Sequence, residues 1–191
     1  MLFELRTYDL KPGKAPAYLD FFRTVGVGLV TRHLPMAGYW MVESGRLNRI
    51  EHLWVYADFA EREAARAALV KDRDWMEGFV PEAFADVVQQ SNRFLALEAS
   101  SPGFDAVVAE RRTLHPNQPA ASAMFAQGVH ALTISANPVP GDRVAAFRVL
   151  SGEVPGARVT LSEGAFEALA SSNDGVLTHE LLRPLSLSPL R

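Results

Sequence analysis

The sequence contains no cysteine. Disulfide bonds, thiol catalysis and cysteine-ligated metal sites are therefore excluded. It also contains no uninterrupted run of about 18 apolar residues, which is the length that a membrane-spanning helix requires. The N-terminal residues alternate apolar with polar side chains instead of forming an apolar run, so we expect no signal peptide, no membrane association and a cytoplasmic protein.

Concentrated charge of one sign is missing as well. The 191 residues include 19 Lys and Arg against 22 Asp and Glu, with a formal net charge of -3. Because the sequence has no basic run or face, we do not expect nucleic acid as a partner.

The motifs of several common enzyme classes are absent. The sequence has no GxSxG, P-loop or GxGxxG segment, which argues against hydrolase, NTPase and Rossmann functions. The five histidines show neither helical pairing nor an HExxH motif, so we expect no metal and no cofactor. These histidines are His33, His52, His115, His130 and His179.

Tyrosine and tryptophan are confined to the first half of the chain, and the second half has only phenylalanine among aromatic residues. The seven side chains are Tyr8, Tyr18, Tyr39, Tyr56, Trp40, Trp54 and Trp75. A composition that is 48% apolar supports a globular core in one large domain or two small ones. If one half carries a site, we expect it to be the first.

Hydrophobic periodicity predicts the order β-α-β-β-α-β for the first half. A helix that starts near Lys14 is expected to end at Gly26 and Gly28. Asp58 and Glu61 form a capping box that opens a second helix, and Asp74 is expected to cap a further helical stretch. The predicted strands are residues 2–8, 38–43, 49–56 and 87–97.

This order is that of the ferredoxin-like motif, an antiparallel sheet with both helices on one face. The other face must be covered, and a second sheet of the same kind can cover it. We therefore predict an α+β fold in which two ferredoxin-like halves pair, sheet against sheet, as a dimeric α+β barrel.

The second half repeats this inventory of elements after a turn-rich boundary at residues 100–103. We predict two domains, residues 1–99 and 104–191, of which the second is a diverged repeat of the first. The predicted strands are residues 104–113, 129–136, 156–161 and 176–182. The predicted helices run through residues 144–150 and from a cap at Ser162 to about Ala170.

Motifs in the first half, in their order along the chain, resemble those of NIPSNAP domains. They are ELRTY at 4–8, LKPG at 10–13, TRHL at 31–34, GYW at 38–40, GRLNR at 45–49, HLWVY at 52–56 and NR at 92–93. The resemblance covers about residues 1–98 and returns loosely at 110–114 and in the tail at 181–190. It implies a dimeric α+β barrel, a superfamily that also contains cofactor-independent monooxygenases, isomerases and haem enzymes. For NIPSNAP proteins themselves it implies no established catalytic activity.

Strand alternation predicts a polar and aromatic set on the open face of the first-half sheet, inside the barrel. The first strand contributes Glu4, Arg6 and Tyr8, while Phe3 and Leu5 are expected to face the helices. The third strand contributes His52, Trp54 and Tyr56, while Leu53 and Val55 are expected to face the helices. The alternation leaves open whether Asn92 or Arg93 joins from the last strand.

This set suits a pocket for a small aromatic or acidic ligand. Arg6 is able to hold a carboxylate, and His52 is able to move a proton near neutral pH. The same side chains can instead pair with one another as part of a barrel interface.

Three functions remain open at this point. The first is a non-catalytic NIPSNAP-like protein whose barrel serves ligand binding or assembly. The second is a monooxygenase- or isomerase-like enzyme that needs no cofactor and acts in the first-half barrel pocket. The third is a structural self-association module. The residues do not decide whether the chain is an enzyme, and we expect a small molecule and a second copy of the chain as partners.

Overall fold

The computed structural model describes residues 1–169 and 175–191, and within them eight strands close into an antiparallel barrel. The strands are β1 Leu2–Leu10, β2 Met36–Val42, β3 Arg49–Tyr56, β4 Val87–Ser100, β5 Val129–Ser135, β6 Ala145–Ser151, β7 Arg158–Gly164 and β8 Val176–Pro184. The helices are α1 Ala15–Phe21, α2 Val27–Val30, α3 Phe59–Lys71, α4 Val80–Ala83, α5 Pro102–Ala109 and α6 Phe166–Leu169. π-helical segments at Phe22–Gly26 and Asp74–Phe79 join α1 to α2 and lead into α4.

Both halves of the chain contribute four neighbouring strands to the barrel. The order is β4-β1-β3-β2 in the first half and β8-β5-β7-β6 in the second. Antiparallel pairs join the halves, with Trp40 of β2 opposite Pro184 of β8 and Leu97 of β4 opposite Phe147 of β6. The predicted α+β barrel is therefore confirmed, and it closes within one chain, so that none of the eight described strands has a free edge.

The helices α1 to α4 lie on the outer face of the first-half sheet. Aromatic residues of these helices and of the two π-helical segments, among them Tyr18, Phe22 and Phe79, share one buried cluster with Tyr39 of β2 and Trp54 of β3. This layer accounts for the helical periodicity of the first half, because one stripe of each helix is buried against the sheet.

The predicted capping box is present at the start of α3. The Asp58 carboxylate accepts a hydrogen bond from the Glu61 backbone N–H at 2.8 Å, and the Glu61 carboxylate accepts one from the Ala57 backbone N–H. The cap expected at Asp74 is wrong. Asp72 accepts from the Trp75 backbone N–H at 3.3 Å instead.

The glycine stop expected at Gly26 and Gly28 is also wrong, because the helical path continues to Val30. At position 26 a Cβ atom would lie 2.4 Å from the Phe79 ring. Gly26 therefore allows the two π-helical segments to approach each other closely, which is a packing role.

Residues 104–113 were expected to form a strand, but residues 102–109 form helix α5. The Ser101 hydroxyl accepts a hydrogen bond from the Phe104 backbone N–H at 3.2 Å, and Pro102 occupies the first turn. Phe104 is buried against Phe3 and Phe147, with ring centroids 5.8 and 5.7 Å away. The helix thus inserts a ring into the barrel core.

Residues 144–150 were expected to form a helix, but they lie largely in β6. Ala145, Phe147 and Val149 are buried at every second position, which is the periodicity of a strand. The Pro-Gly motif before this segment had suggested a copy of the first helix, and the alternation overrides it. Ser162 lies in β7 and does not cap a helix, and the predicted end of that helix at Ala170 lies outside the described residues.

The barrel interior is filled by apolar side chains from both halves. The cavity that remains in it measures about 10 Å³, too little for a ligand. It is lined by Leu5, Trp40, Glu51, Leu53, Leu95, Leu132, Phe147, Val159, Leu161 and Leu182.

Candidate functional site

The six predicted site residues do share one face of the sheet, but that face lies beneath the helices and outside the barrel. Phe3 and Leu53 belong to the barrel core, whereas Tyr8 and Trp54 pack with the helices. The expected orientation was therefore inverted. Alternation determines which residues lie together, but it does not determine which side the helices cover. Here the helix layer supplies arginines that pair with Glu4, and the opposing sheet supplies aliphatic and Phe side chains.

Glu4 lies at the centre of a buried charge cluster and has no exposed surface. Its carboxylate accepts hydrogen bonds from Arg6 (3.1 Å), Arg62 (3.0 Å), Arg66 (3.0 Å) and Asn92 (2.9 Å). Burial alone would raise the pKa of Glu4, but these donors outweigh it and lower the pKa to about 2. Glu4 therefore remains ionised, and Asn92, whose orientation the sequence left open, does join the site.

The helix α3 places two of these cations over the sheet, since Arg62 and Arg66 are one helical turn apart. Arg62 also pairs with the carboxylate of Glu63, which is 57% exposed. Three guanidinium groups, including that of Arg6, thus face two carboxylates, and one positive charge is in excess. The cluster therefore carries a local excess of positive charge on side chains that are only 16–23% exposed.

His52 lies 3% exposed among aromatic rings beside this cluster. Its Nδ1 accepts a hydrogen bond from the Trp54 indole Nε1–H at 2.6 Å. The Tyr39 ring stacks on the imidazole with centroids 4.8 Å apart, and the Tyr8 ring lies nearly perpendicular to it at 4.6 Å. Since Nδ1 is an acceptor, the proton of the neutral imidazole lies on Nε2.

The expected role of His52 as a proton carrier near neutral pH is wrong. Burial, followed by the positive charges of Arg6 and Arg66, holds the pKa of His52 well below its usual value. The imidazole is therefore neutral at physiological pH, and it presents Nε2–H as a fixed hydrogen-bond donor.

Three donors of this cluster are buried without a hydrogen-bond partner. Within residues 1–169 and 175–191, six buried side-chain nitrogen or oxygen atoms have none, and three of the six are Arg6 Nε, Arg66 Nε and His52 Nε2. Most buried polar groups are satisfied, so three orphan N–H groups in one cluster call for an explanation.

Tyr56 also contacts the cluster, since its hydroxyl donates to Glu4 at 3.5 Å. Burial raises the pKa of Tyr56, and likewise those of Tyr18 and Tyr39, whose hydroxyls are 3.2 Å apart. These phenols therefore stay protonated and act as neutral polar groups.

A groove opens at the surface between α1 and α4. Its volume is about 220 Å³, and Tyr18 forms part of its wall. The hydroxyl of Tyr18 in turn contacts that of Tyr39, whose ring stacks on His52. The groove is lined by Leu10, Lys14, Ala17, Tyr18, Phe21, Glu82, Ala83 and Asp86.

The predicted site did not include Arg62 and Arg66, because it was predicted from strand alternation and these two residues lie on helix α3. A usable signal was present, since Arg62, Arg66 and Leu69 follow helical spacing and Leu69 is buried. These arginines were therefore predictable as residues on the buried side of the helix.

Glu51 and Thr7 form a second polar group, which lies inside the barrel. Their strand positions alternate with those of the site residues on β3 and β1. Glu51 is buried and accepts a hydrogen bond from the Thr7 hydroxyl at 2.8 Å. Burial, with a smaller contribution from the nearby charge of Glu180, raises the pKa of Glu51 to about 8 against the opposing effects of Thr7, Arg49 and Arg93. Glu51 is therefore mostly protonated at neutral pH.

Comparison with known proteins shows to which protein family the first half is similar. The family description NIPSNAP matches residues 3–102. The chain belongs to the NIPSNAP family. Mouse NipSnap homolog 3B is 46% identical over 89 residues, which are 46% of this chain and 36% of that protein. Human NipSnap homolog 3A is 38% identical over 98 residues, which are 51% of this chain and 39% of that protein. The NIPSNAP chain thus matches well under half the length of these relatives.

Solved structures of NIPSNAP proteins likewise match about half of the chain. An uncharacterised NIPSNAP domain protein from Burkholderia xenovorans is 34% identical, with a TM-score of 0.50, and covers 53% of this chain and 99% of its own. A NIPSNAP family protein of unknown function from Agrobacterium tumefaciens is 33% identical, with a TM-score of 0.51, over 53% and 92% of the two chains. A putative monooxygenase from Lactobacillus acidophilus covers 96% of this chain and 92% of its own at 8% identity and a TM-score of 0.52, which shows a common fold alone.

Two further observations concern the part of the chain that the structure describes. It contains no cluster of three or more His, Asp or Glu side chains that could hold a metal ion. None of its helices is both long and apolar enough to cross a membrane.

Proposed function

We propose that this NIPSNAP chain binds a small molecule in the cluster beneath the helices of its first half. The observation that carries the proposal is the set of three orphan donors, Arg6 Nε, Arg66 Nε and His52 Nε2. A ligand with hydrogen-bond acceptors would satisfy all three, and buried donors rarely remain unsatisfied in a native state. The filled barrel interior serves as the rigid support for this site.

We propose that the second half, residues 104–191, is a diverged repeat of residues 1–99 that has kept the scaffold and lost the site. Its strands follow the same order in the barrel. The outward positions of β5 are Ala131, Thr133 and Ser135, where β1 has Glu4, Arg6 and Tyr8. The stoichiometry that follows is one ligand per chain.

Binding fits this site better than the monooxygenase- or isomerase-like alternative. A general base must accept a proton, but Nδ1 of His52 is already bonded to Trp54 and Nε2 carries the proton. The likeness to the putative monooxygenase concerns the fold alone and adds no support for catalysis.

Two indole groups allow a direct test. The Trp54 Nε1–H donates to His52 in the site, and the Trp40 Nε1–H donates to His130 on the barrel side. In a 15N-NMR screen of a small-molecule library, a ligand of this site should shift the Trp54 indole resonance and leave that of Trp40 in place. Trp54→Phe and Trp40→Phe variants assign the two signals. Ligands that shift Trp40 alone would place the site in the barrel and contradict the proposal.

The homodimer and the cytoplasmic location stay predictions. The barrel already pairs two sheets within one chain, so a dimer would use other surfaces. Sedimentation velocity over a range of concentrations measures whether such a dimer forms.

A further inference from the structure

The chemistry of the orphan groups restricts the ligand. Arg6 Nε, Arg66 Nε and His52 Nε2 all present N–H groups, and none can accept a hydrogen bond in this protonation state. Arg6 lies directly opposite His52 in the β1–β3 pair, and Arg66 bonds to Glu4, two residues before Arg6, so the three groups lie in one neighbourhood. A matching ligand therefore offers acceptor atoms at one end.

The charge of the cluster restricts that end further. Arg66 pairs with Glu4 alone, and Arg6 pairs with Glu4 and the neutral amide of Gln90. With Arg62 compensated by the exposed Glu63, the two inner guanidinium groups share one carboxylate. An anionic group would neutralise the excess and form charge-assisted hydrogen bonds, while a neutral acceptor would leave the excess uncompensated.

The remaining walls of the site are aromatic. The Tyr8 ring lies 5.6 Å from that of Phe84 and 6.2 Å from that of Tyr18, in edge-to-face arrangements. Tyr39 stacks on Phe22 at 4.1 Å. Such walls favour a planar ring, which gains offset stacking and edge contacts beyond those of an aliphatic group.

The volume of the entrance groove limits the size of the ligand. The groove between α1 and α4 measures about 220 Å³, which is below the roughly 300–1,000 Å³ of pockets for drug-sized molecules. A single ring with a short acidic group fits this limit. The groove carries charges of both signs, since Lys14 pairs with Asp86 there at 3.2 Å and Glu82 also lines it.

The helix layer over the site contains two π-helical segments. The π-helical segment Phe22–Gly26 follows α1 directly, and Asp74–Phe79 precedes α4. They meet where the Phe22 and Phe79 rings lie 6.2 Å apart in an edge-to-face arrangement. π-helical turns occur frequently at functional sites, because their widened turn shifts side chains locally. A rotation of Tyr18 beside this segment would connect the groove to His52.

We propose that the ligand is a single-ring aromatic carboxylate, whose carboxylate accepts hydrogen bonds from Arg6, Arg66 and His52 while its ring packs among Tyr8, Tyr18 and Tyr39. This inference rests on the proposed function and specifies the chemical class of the ligand. It enters through the α1–α4 groove.

The test compares matched probes on the full chain by isothermal titration calorimetry. The probes are benzoate and its hydroxylated derivatives, the corresponding neutral benzamides, and cyclohexanecarboxylate. The aromatic acids should bind, and the amides should bind at least about tenfold more weakly, since a charge-assisted hydrogen bond is lost. Cyclohexanecarboxylate should also bind more weakly than benzoate.

Substitutions of Arg66 in α3 test whether this side chain accounts for the preference for acids over amides. Arg66→Gln should weaken benzoate binding by about tenfold or more and amide binding by less, and Arg66→Lys should restore part of the benzoate binding. Arg73→Gln removes an exposed arginine paired with Glu77 and should change neither. The thermal midpoint of each variant establishes that it is folded, and the acid-to-amide comparison on the wild-type chain needs no variant.

The outcomes separate this inference from the proposed function. Equal binding of acids and amides, or neutral library compounds that shift the Trp54 resonance while the acids do not, would overturn the carboxylate and leave the binding site standing. An absence of binding by every probe, together with an unmoved Trp54 resonance across the library, would overturn both.

Discussion

The indole Nε1–H of Trp54 donates a 2.6 Å hydrogen bond to Nδ1 of His52, two residues earlier on the same strand. Residues two apart on a strand point to the same face, so β3 by itself brings the two rings together. The bond selects the imidazole tautomer and leaves Nε2–H buried without a hydrogen-bond partner. The tautomer of His52 is therefore set by its own strand, β3, although the side chain is covered by the helix layer.

The tautomer of His52 provides the first prediction. In Trp54→Phe the donor to Nδ1 is lost, and the Nδ1–H tautomer should become populated, since nothing then holds the proton on Nε2. 15N NMR of the imidazole measures the tautomer ratio directly. The wild-type chain should show the Nε2–H form alone, and a predominant Nδ1–H form there would contradict the assigned hydrogen bond.

Removal of the Glu4 charge should destabilise the fold strongly. Glu4→Gln leaves Arg6, Arg62 and Arg66 without their shared buried carboxylate, and loss of one partner from a buried ion cluster costs about 3–5 kcal/mol. Urea unfolding measures the change. Glu63→Gln, at an exposed position, should change the free energy of unfolding little. Similar values for the two variants would mean that the cluster does not stabilise the fold.

Glu51 should make stability fall as pH rises. Its pKa is about 8 in the folded state against 4.5 for the unfolded chain, so the folded protein keeps a proton that the unfolded chain releases between these values. The stabilisation is full below pH 4.5 and is lost progressively up to about pH 8. Glu51→Gln should be more stable than the wild type near pH 8 and should show a flatter profile.

A pH series of urea unfolding curves for both proteins measures this effect. Parallel profiles for the wild type and the variant would show that the carboxyl is not buried in its neutral form.

Helix α5 should act as a closure of the barrel. Phe104→Ala removes a buried ring that contacts Phe3 and Phe147, and such a deletion costs about 3–5 kcal/mol. Leu114→Ala, 58% exposed just beyond the helix, should cost less than about 0.5 kcal/mol. Chemical unfolding compares them, and a small effect at Phe104 would place α5 outside the core.

Much of the first half could be predicted from its pattern, and β3 was predicted at its observed bounds. Its residues alternate regularly from Arg49 to Tyr56, with turn residues before the strand and the Asp58 cap shortly after it. The second half was harder to predict. Phe104, Val107 and Val108 fit a helix as well as a strand, and a short segment does not distinguish the two periods.

The sequence by itself determined the family motifs, the antiparallel α+β class, the pairing of two half-barrels and the grouping of Glu4, Arg6, Tyr8, His52 and Trp54 on one face. These properties follow from local periodicity, which depends only on neighbouring residues. Only the tertiary structure decided that this face meets the helices. That choice depends on distant partners, Arg62 and Arg66 on one side and the aliphatic residues of the other half on the other side, and local spacing carries no information about them.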